Sequence, residues 1–541
     1  MVKNDVITIS ITGMTSDGAG VGRHDGTAVF VRGAAVGDTL EAVVIKITKN
    51  YAVGKILRII TPSDVRQSID CPAYPRCGGC VYRHISYAEE LRIKRERVAD
   101  CIKRIGGLDV PVGECGHGGE YGYRNKAQYP VGKSGDGLSI GFYAPHSHRI
   151  IDCRECALQP PEFSDILRVT EDYVRKCNIS VYNEETHSGL LRHIYVRKAE
   201  ATDQIMVCLV INGDSLPHAE KFVDAVKELL GDRLKTVVLN INTADTNVIL
   251  SDKCKTIFGD GYITDILCGI KIRLSALSFY QINRAMAARL YEKAAQLAGG
   301  GRLLLDLYCG AGAIGLSMAD KFESVIGVEI IPEAVEDAKH NAKINGIGNA
   351  RFICADAYSA AQQLKNEGIT PDTVIVDPPR KGLENGLPQL IADSFSPQRI
   401  VYISCDPATL ARDLAAFHKC GYITQSATPF DLFPRTAHVE TVVQLVRKKP
   451  DTYIDITVDM DELDLTSSEA KATYDEIKDY IFDTHRVKVS SLYIAQVKQM
   501  HGIIERDCYN NSKKESPKQP QCPPEKVKLI EEALRHFKMI P

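Results

Sequence analysis

The chain has almost no net charge. Its 66 Lys and Arg are set against 69 Asp and Glu, leaving a formal charge of −3 over 541 residues. No global basic field is therefore available for nucleic acid, and any such surface must be local. Long apolar runs are also missing: nowhere do 18 apolar residues follow one another, which argues against a membrane-spanning helix. The opening residues, MVKNDVITISITG, lack the apolar core of a secretion signal. Together these absences lead us to expect a soluble, cytoplasmic protein with no membrane contact. Cysteine is not scarce. There are 17, and without an export signal they are not read as a disulfide framework; metal binding, catalysis or packing must account for them. The length predicts three or four domains.

The most informative stretch is Arg399-Ile-Val-Tyr-Ile-Ser404-Cys405-Asp406-Pro407. Its β-branched and aromatic residues predict a buried strand, and Pro407 ends it. Cys405 thus falls where a strand breaks into a loop, the edge at which open α/β sheets bind ligands. Alone, such a cysteine is most often a small buried hydrophobe.

Four more strands stop at the same edge. Leu303–Tyr308 carries Asp306 and runs into Cys309-Gly310-Ala-Gly312-Ala-Ile-Gly315. These glycines permit a tight turn and close approach of backbone to a ligand, which could be a dinucleotide or S-adenosylmethionine. Ser324–Glu329 ends in Glu329, an acid suited to ribose hydroxyls. Ala350–Asp356 ends in Asp356, and Thr373–Asp377 in Asp377-Pro-Pro-Arg380. Five such residues in register point to a site. A later apolar strand opens on Glu440 within His438-Val439-Glu440, where a charge is costly unless used or paired.

Upstream, residues 1–60 alternate apolar and polar positions between glycines, predicting a small closed barrel of a kind that often binds single-stranded nucleic acid. Cys71-x5-Cys77-Gly-Gly-Cys80 follows. Three thiolates this close, with a distant fourth in Ile150–Cys156, suit a [4Fe–4S] cluster; zinc and unliganded thiols are the alternatives. Tyr87–Arg104 predicts a helix with six bases between 91 and 104, either a solvated face or a phosphate-contacting one. Residues 160–260 alternate helix- and strand-like patterns without nameable chemistry. Residues 451–469 hold seven acids and no base, as a linker would. Thr473–Asp483 and Ser490–Met500 predict two short helices, in outline a helix-turn-helix, and a last helix runs from Glu525.

Together these motifs resemble the RNA uracil-C5 methyltransferases, in particular the 23S ribosomal RNA branch that holds an iron–sulfur cluster. The likeness spans about residues 1–447. It implies an α/β Rossmann-like S-adenosylmethionine-dependent methyltransferase domain (265–449) and an N-terminal TRAM barrel for RNA (1–60). Between them it implies a central α+β iron–sulfur domain (61–264), while a small helical extension (450–541) lies outside the shared pattern. By resemblance, Cys71, Cys77, Cys80 and Cys156 hold the cluster, with Cys153 the weaker choice for fourth ligand. Ser278-Phe-Tyr-Gln281-Ile-Asn283 is similar to the family's cofactor-proximal motif, assigning Gln281 to S-adenosylmethionine along with Tyr308, Gly310, Glu329, Asp356 and Asp377. Cys405 is the implied nucleophile toward C6 of uracil, and Glu440 the base that removes the C5 proton. Asp406 stands where many members have Asn, and Arg435 where the family often has His. The expected substrate is 23S ribosomal RNA, with no obligate protein partner. A uridine in transfer RNA is the nearest alternative, and amino methylation or a non-enzymatic RNA-binding role are more distant ones.

Overall fold

The computed structural model describes residues 1–135, 137–448, 472–503 and 522–540. The chain forms two compact units, Met1–Lys449 and Pro450–Pro541.

The first unit begins with a closed five-stranded barrel: Val6–Met14, Ala19–His24, Thr27–Arg32, Tyr51–Thr61 and Thr39–Ile47, in that order around the wall. Alternation is strict where it matters. Ile7, Ile9 and Ile11 point inward to meet Val29, Val31, Leu40 and Val44, as the two-residue period of a strand requires. The chain leaves the barrel past Asp38, a fully buried carboxylate that accepts from Arg66 at 2.6 and 2.8 Å and from the Ala35 and Ser63 amides.

The helix Tyr87–Arg104 follows, capped by Ser86. Its bases turn out to be mostly engaged within the protein. Lys94 is buried and its Nζ lies 2.7 Å from both Glu90 and Asp431. Arg92 pairs with Glu89 and Glu96, Arg97 donates to the carbonyls of Ser16 and Ala437, and Arg95 donates to those of Val112 and Gly113. Asp431 and Ala437 belong to the far end of the sequence, so this charge run ties the early chain to the late one.

A seven-stranded sheet comes next. From edge to edge its strands are Cys254–Gly259, Leu234–Ile241, Gln204–Ile211, Leu191–Ala199, Lys126–Ser134, Gly137–Tyr143 and Ile150–Asp152. The helices Pro161–Lys176 and Ala219–Leu230 lay Phe163, Ile166, Leu167, Phe222 and Val226 into its core. A hairpin, Ile263–Leu267 with Ile270–Leu274, leads on.

The second seven-stranded sheet runs Ala350–Cys354, Phe322–Glu329, Gly301–Leu307, Thr373–Val376, Arg399–Ser404, Glu440–Arg447 and Tyr422–Phe430. The first five strands are parallel, Glu440–Arg447 runs antiparallel to them, and Tyr422–Phe430 pairs antiparallel with it and so runs with the first five. Central strands such as Leu303–Leu307 and Thr373–Val376 are buried along their length because both faces are covered. Helix Arg284–Ala298 packs on one face; Ala357–Asn366, Leu387–Ser394 and Pro407–Lys419 pack on the other. The five-strand edge inferred from sequence is thus one physical edge.

In the second unit, helices Tyr474–His485, Ser491–Met500 and Pro524–His536 enclose Ile477, Ile481, Ile494, Val497, Ile530 and Leu534. Thr473 and Glu476 form a reciprocal capping box, Ser490 caps the second helix, and Gly502 lies just past its end. The acidic stretch 451–469 lies outside the described residues. No helix among those described is long and apolar enough to cross a membrane.

Lys94 is the cation shared by the buried carboxylates Glu90 and Asp431. Lys94→Ala should lower stability by ~3–5 kcal/mol, because two buried acids lose their common counter-charge. Urea unfolding followed by circular dichroism measures this, and a loss below about 1 kcal/mol would show the pair to be effectively solvated.

Candidate active site

Cys405 follows the strand Arg399–Ser404 directly and precedes the helix Pro407–Lys419. Asp406 caps that helix, accepting from the amides of Ala408 and Thr409 at 2.9 and 3.0 Å. Its carboxylate is thereby occupied, while Cys405 is left half-exposed at the turn.

Sheet register then selects its neighbour. Strand Arg399–Ser404 pairs antiparallel with Glu440–Arg447, and the last bonded pair is Ser404 with Thr441. One further step along the same register sets Cys405 opposite Glu440. Electrostatics agree with this placement. Burial pushes the Cys405 thiol up to about 11, with the negative charges of Glu440 and Asp377 adding to it and Arg380 opposing. Burial likewise pushes Glu440 up to about 8, Asp377 reinforcing and Arg380 opposing. Asp377 keeps some exposure at the mouth of the site, and the protein packed around it pushes it up to about 7. The edge therefore presents a thiol and a carboxyl of raised proton affinity side by side, with Arg380 as the cation acting on both.

The glycine loop lies at the same edge. Gly310 and Gly312 have φ of +53° and +81°, the left-handed region that glycine adopts without strain. Tyr308, at φ +69°, adopts it with a side chain, a strained conformation of the kind that clusters at ligand sites. Glu329 holds the loop: its carboxylate accepts from the amides of Gly310 (3.0 Å) and Ile331 (2.9 Å). Asp306 is fully buried. One of its oxygens takes the Gly315 amide at 2.9 Å and the other has no partner. Burial pushes it up to about 8, and nearby Asp377 and Glu329 add to the shift. The Tyr308 hydroxyl is also buried without a partner. Asp356 caps the helix Ala357–Asn366 through the Ser359 amide at 2.8 Å, which holds its carboxyl below the usual range. Gln281 lies in a pinned segment. Its carbonyl accepts from Asn125, and Arg197 donates to the Ser278 carbonyl at 2.7 Å.

Tyr291 was not legible as a site residue. It is buried on helix Arg284–Ala298, and its hydroxyl is pushed up first by burial and then by Asp377, Asp306, Cys268 and Glu440. Only the packing of that helix across the sheet brings it to the acids. Arg435 is buried as well. Its amide donates to Glu90 at 2.7 Å, its guanidinium reaches the Ile85 carbonyl and Glu120, and its carbonyl accepts from Val81 and Tyr82. Those two residues directly follow Cys80.

The cysteine motif gathers as a group. Cys71, Cys77, Cys80, Cys153 and Cys156 line one cavity of about 230 Å3, with Arg83 and Arg124 in the same wall. Every cysteine among the described residues is a free thiol. The thiols surround the space without converging on a point: among the described residues, no three His, Cys, Asp or Glu side chains stand close enough to hold a single ion.

The model of the tRNA (uracil-5-)-methyltransferase family matches residues 203–448, and that of the TRAM domain matches residues 3–57. An uncharacterised RNA methyltransferase from Clostridium tetani is 43% identical over 444 residues, covering 82% of this chain and 96% of its own. One from Halalkalibacterium halodurans is 41% identical over 450 residues, covering 82% and 98%. The chain belongs to the RNA uracil-5-methyltransferase family. Among solved structures, the Pyrococcus abyssi tRNA (uracil-54, C5)-methyltransferase in complex with S-adenosyl-L-homocysteine superposes with a TM-score of 0.65. The two are 27% identical, and the match covers 81% of this chain and 99% of that one. The N-terminal barrel of this RNA methyltransferase is accordingly a TRAM domain, and its second seven-stranded sheet has the methyltransferase fold.

A Cβ on Gly312 would meet Leu316 at 3.1 Å and Ala338 at 3.3 Å, whereas one on Gly310 would meet nothing within 4 Å. Both substitutions by Ala bear the left-handed cost of ~1–2 kcal/mol. Gly312→Ala should therefore destabilise the methyltransferase more than Gly310→Ala, as measured by denaturant midpoints, and equal losses would show that the crowding is relieved.

Proposed function

We propose that the protein transfers the methyl group of S-adenosylmethionine to C5 of a uridine in 23S ribosomal RNA, with Cys405 as nucleophile and Glu440 as general base. The observation that carries this reading is the strand register opposing Cys405 to Glu440 beside the glycine loop. The cofactor edge suits S-adenosylmethionine: an unpartnered buried Asp306 oxygen and a free Tyr308 hydroxyl stand ready for polar groups, in a cleft whose acids complement a cation. Gln281, Tyr308, Gly310, Glu329, Asp356 and Asp377 are its proposed contacts. When bound, S-adenosylmethionine supplies an electrophilic methyl group.

The residues act in sequence. Cys405, as thiolate, forms a bond to C6 of uracil, and the C5–C6 π pair moves toward the C4 carbonyl as an enolate. C5 becomes nucleophilic enough to accept the methyl group, which splits one difficult step into easier ones. Glu440 then takes the C5 proton, the electron pair of the C5–H bond restores the C5–C6 double bond, and the C6–S bond breaks to return the thiolate. A carboxylate of raised pKa is the better base for that proton. Arg380 opposes the rise of the thiol and so favours the nucleophilic form. The target base must leave its stack to reach this edge.

The TRAM barrel of residues 1–60 is proposed to hold flanking RNA, and residues 61–264 to carry a [4Fe–4S] cluster on Cys71, Cys77, Cys80 and Cys156. The donor set supports a cluster. Several thiols ring one cavity without meeting at a point, and the Gly79 amide donates to Cys77 Sγ at 3.4 Å. Cys156 acts electrostatically on Cys77 and Cys80, and Cys77 and Cys71 act on Cys153; Cys156 is taken as the fourth ligand from the family resemblance. The role assigned to the cluster is structural, because the late loop carrying Arg435 is bonded to the residues after Cys80. A second reading, the same chemistry on transfer RNA, is favoured by the substrate of the Pyrococcus abyssi neighbour.

Incubation with S-adenosylmethionine and ribosomal RNA containing 5-fluorouridine should give a persistent covalent adduct, since fluorine cannot leave as a proton. Cys405→Ala should give none; an adduct in that variant would sink the mechanism. Glu440→Gln should slow turnover by ~10²–10⁴-fold and accumulate methylated, enzyme-bound RNA. A base must be unprotonated, so turnover should rise with pH through about 8, the value for Glu440, and a flat profile between pH 6 and 9 would exclude it as the titrating base. Assays on unmodified 23S ribosomal RNA and on bulk transfer RNA distinguish the two substrates. Anaerobic purification should yield about four irons and four sulfides per chain, whereas one zinc would overturn the cluster.

A further inference from the structure

A second cavity, of about 400 Å3, opens in the central sheet domain, apart from the cysteine-lined space. Its walls come from four places, one of them the loop 245–249 that follows the strand Leu234–Ile241. Tyr143 ends the strand Gly137–Tyr143, with His148 in the loop beyond it. Tyr182 and Glu184 lie in the loop before the strand Leu191–Ala199. Arg192 and His193 stand on that strand. Its volume is within the range of small-molecule pockets.

The lining carries aromatic faces and a mixed set of polar groups. The Arg192 guanidinium lies 4.3 Å from the centre of the Tyr182 ring, and its Nη1 donates to the carbonyls of Asn242 and Ala244 at 2.8 and 2.9 Å. Arg192 is therefore fixed, and its Nε is buried without a partner. His193 is 5% exposed and its Nδ1 is likewise unpartnered; its Nε2 lies 3.4 Å from the Tyr143 hydroxyl. Burial lowers His193 to about 4, so near neutral pH the ring is uncharged and offers both a donor and an acceptor. Glu184 accepts from the Tyr143 hydroxyl at 2.9 Å and from His148. A carboxylate capacity for about four bonds leaves room for more. The Tyr143 and His148 rings are tilted at 41° to each other, with their centres 5.5 Å apart.

This composition selects a class of ligand. A simple anion would face Glu184 and Asp245 as well as Arg192. A metal ion is not favoured, since no cation-holding group of three is present among the described residues. Aromatic faces, buried unpartnered ring and guanidinium nitrogens, and an acceptor-rich carboxylate together suit a flat heterocycle with a donor edge. Single-stranded RNA bases are held in this way, by stacking and by bonds to their Watson–Crick edges. The position agrees: the loop after Tyr143 touches the TRAM barrel, where Arg32 bonds His146 at 3.1 Å, and the Tyr143 carbonyl accepts from the Gly78 amide at 3.2 Å.

We propose that this cavity is a second RNA-binding pocket, holding an unstacked base that carries an amino group and is distinct from the uracil that is methylated. The amino group would donate to Glu184, and the ring would lie against Tyr182 or Tyr143. Uracil, with no amino group, fits it less well. The proposal rests on the RNA-methyltransferase reading, and its test separates the two.

The full chain is irradiated at short wavelength with a ribosomal RNA fragment that it methylates, and peptide–nucleotide adducts are mapped by mass spectrometry. Binding of the same RNA is measured for wild type, Tyr182→Ala and Glu184→Gln; Tyr182 and Glu184 lie on a surface loop away from the catalytic edge. The expected results are an adduct of guanine, adenine or cytosine on the 180–187 segment or on Tyr143, and an RNA affinity about five- to a hundred-fold lower in Tyr182→Ala, the scale of one lost stacking contact. Glu184→Gln, which keeps the shape, should lose affinity while S-adenosylmethionine affinity stays unchanged in both variants. Equal RNA binding by all three proteins, or adducts only elsewhere, overturns the pocket and leaves the methyltransferase reading standing. A uracil adduct in the pocket overturns its base preference. A titration with guanosine 5′-monophosphate and with inorganic phosphate closes the remaining route: tight binding of the nucleotide with unchanged RNA affinity in the variants reassigns the cavity to free nucleotide. Failure of the wild type to bind or methylate any RNA overturns both readings.

Discussion

The antiparallel pairing of Arg399–Ser404 with Glu440–Arg447 is the constraint on which the proposed chemistry depends. Parallel strands alone would bring to one edge only the residues that follow each strand. The antiparallel neighbour instead delivers a residue from its own beginning, so Glu440 enters the site where the preceding loop enters the sheet. Hydrogen-bond register then leaves no choice of partner: a slip of one residue would turn Glu440 to the opposite face. The strand Glu440–Arg447 is held in register on both edges, by Arg399–Ser404 on one side and Tyr422–Phe430 on the other.

That loop has its own anchor. Residues 431–440 carry Asp431 and Arg435 into a buried ionic network with Glu90 and Lys94 of the helix Tyr87–Arg104. Tyr87 donates to Asp431 at 2.9 Å, and Tyr123 donates to the Pro434 carbonyl at 2.9 Å. Buried ion pairs gain little net stability against apolar replacements, yet losing one partner is costly. Here the network couples residues more than three hundred positions apart, and it holds the approach to Glu440 against the segment that follows the cysteine motif. The cysteine-lined cavity, the loop 431–440 and the proposed base thus share one mechanical frame.

Electrostatics within the site follow from the same enclosure. Asp306, Asp377 and Glu440 are all raised, chiefly by burial, and Asp377 adds to the rise of the other two. A group of acids with few cations nearby suits a positively charged cofactor and supplies a base with useful affinity for a carbon-bound proton. The cost is a thiol pushed up to about 11, and Arg380 is the cation that works against it.

Much of this is legible in the order of the residues. The five strand ends, the glycine turn, the small barrel and the helix cap Ser490 follow from local rules, because period and capping chemistry depend on neighbours a few residues away. The bases of Tyr87–Arg104 show where such reading stops. Their spacing suggests a face for solvent or phosphate, but Lys94 is buried against Asp431, an acid that no local pattern links to it. Tyr291 and the cavity beside Arg192 are equally invisible, being made by elements distant in sequence. By itself, then, the sequence determined which residue types stand at which strand ends and turns, since those depend on short-range periodicity and backbone preference. Only the tertiary structure decided that Cys405 faces Glu440, that five cysteines share one space, and that Lys94 is a tie and not a surface charge. Those facts depend on strand order, register and packing, which are set by contacts between distant parts of the chain.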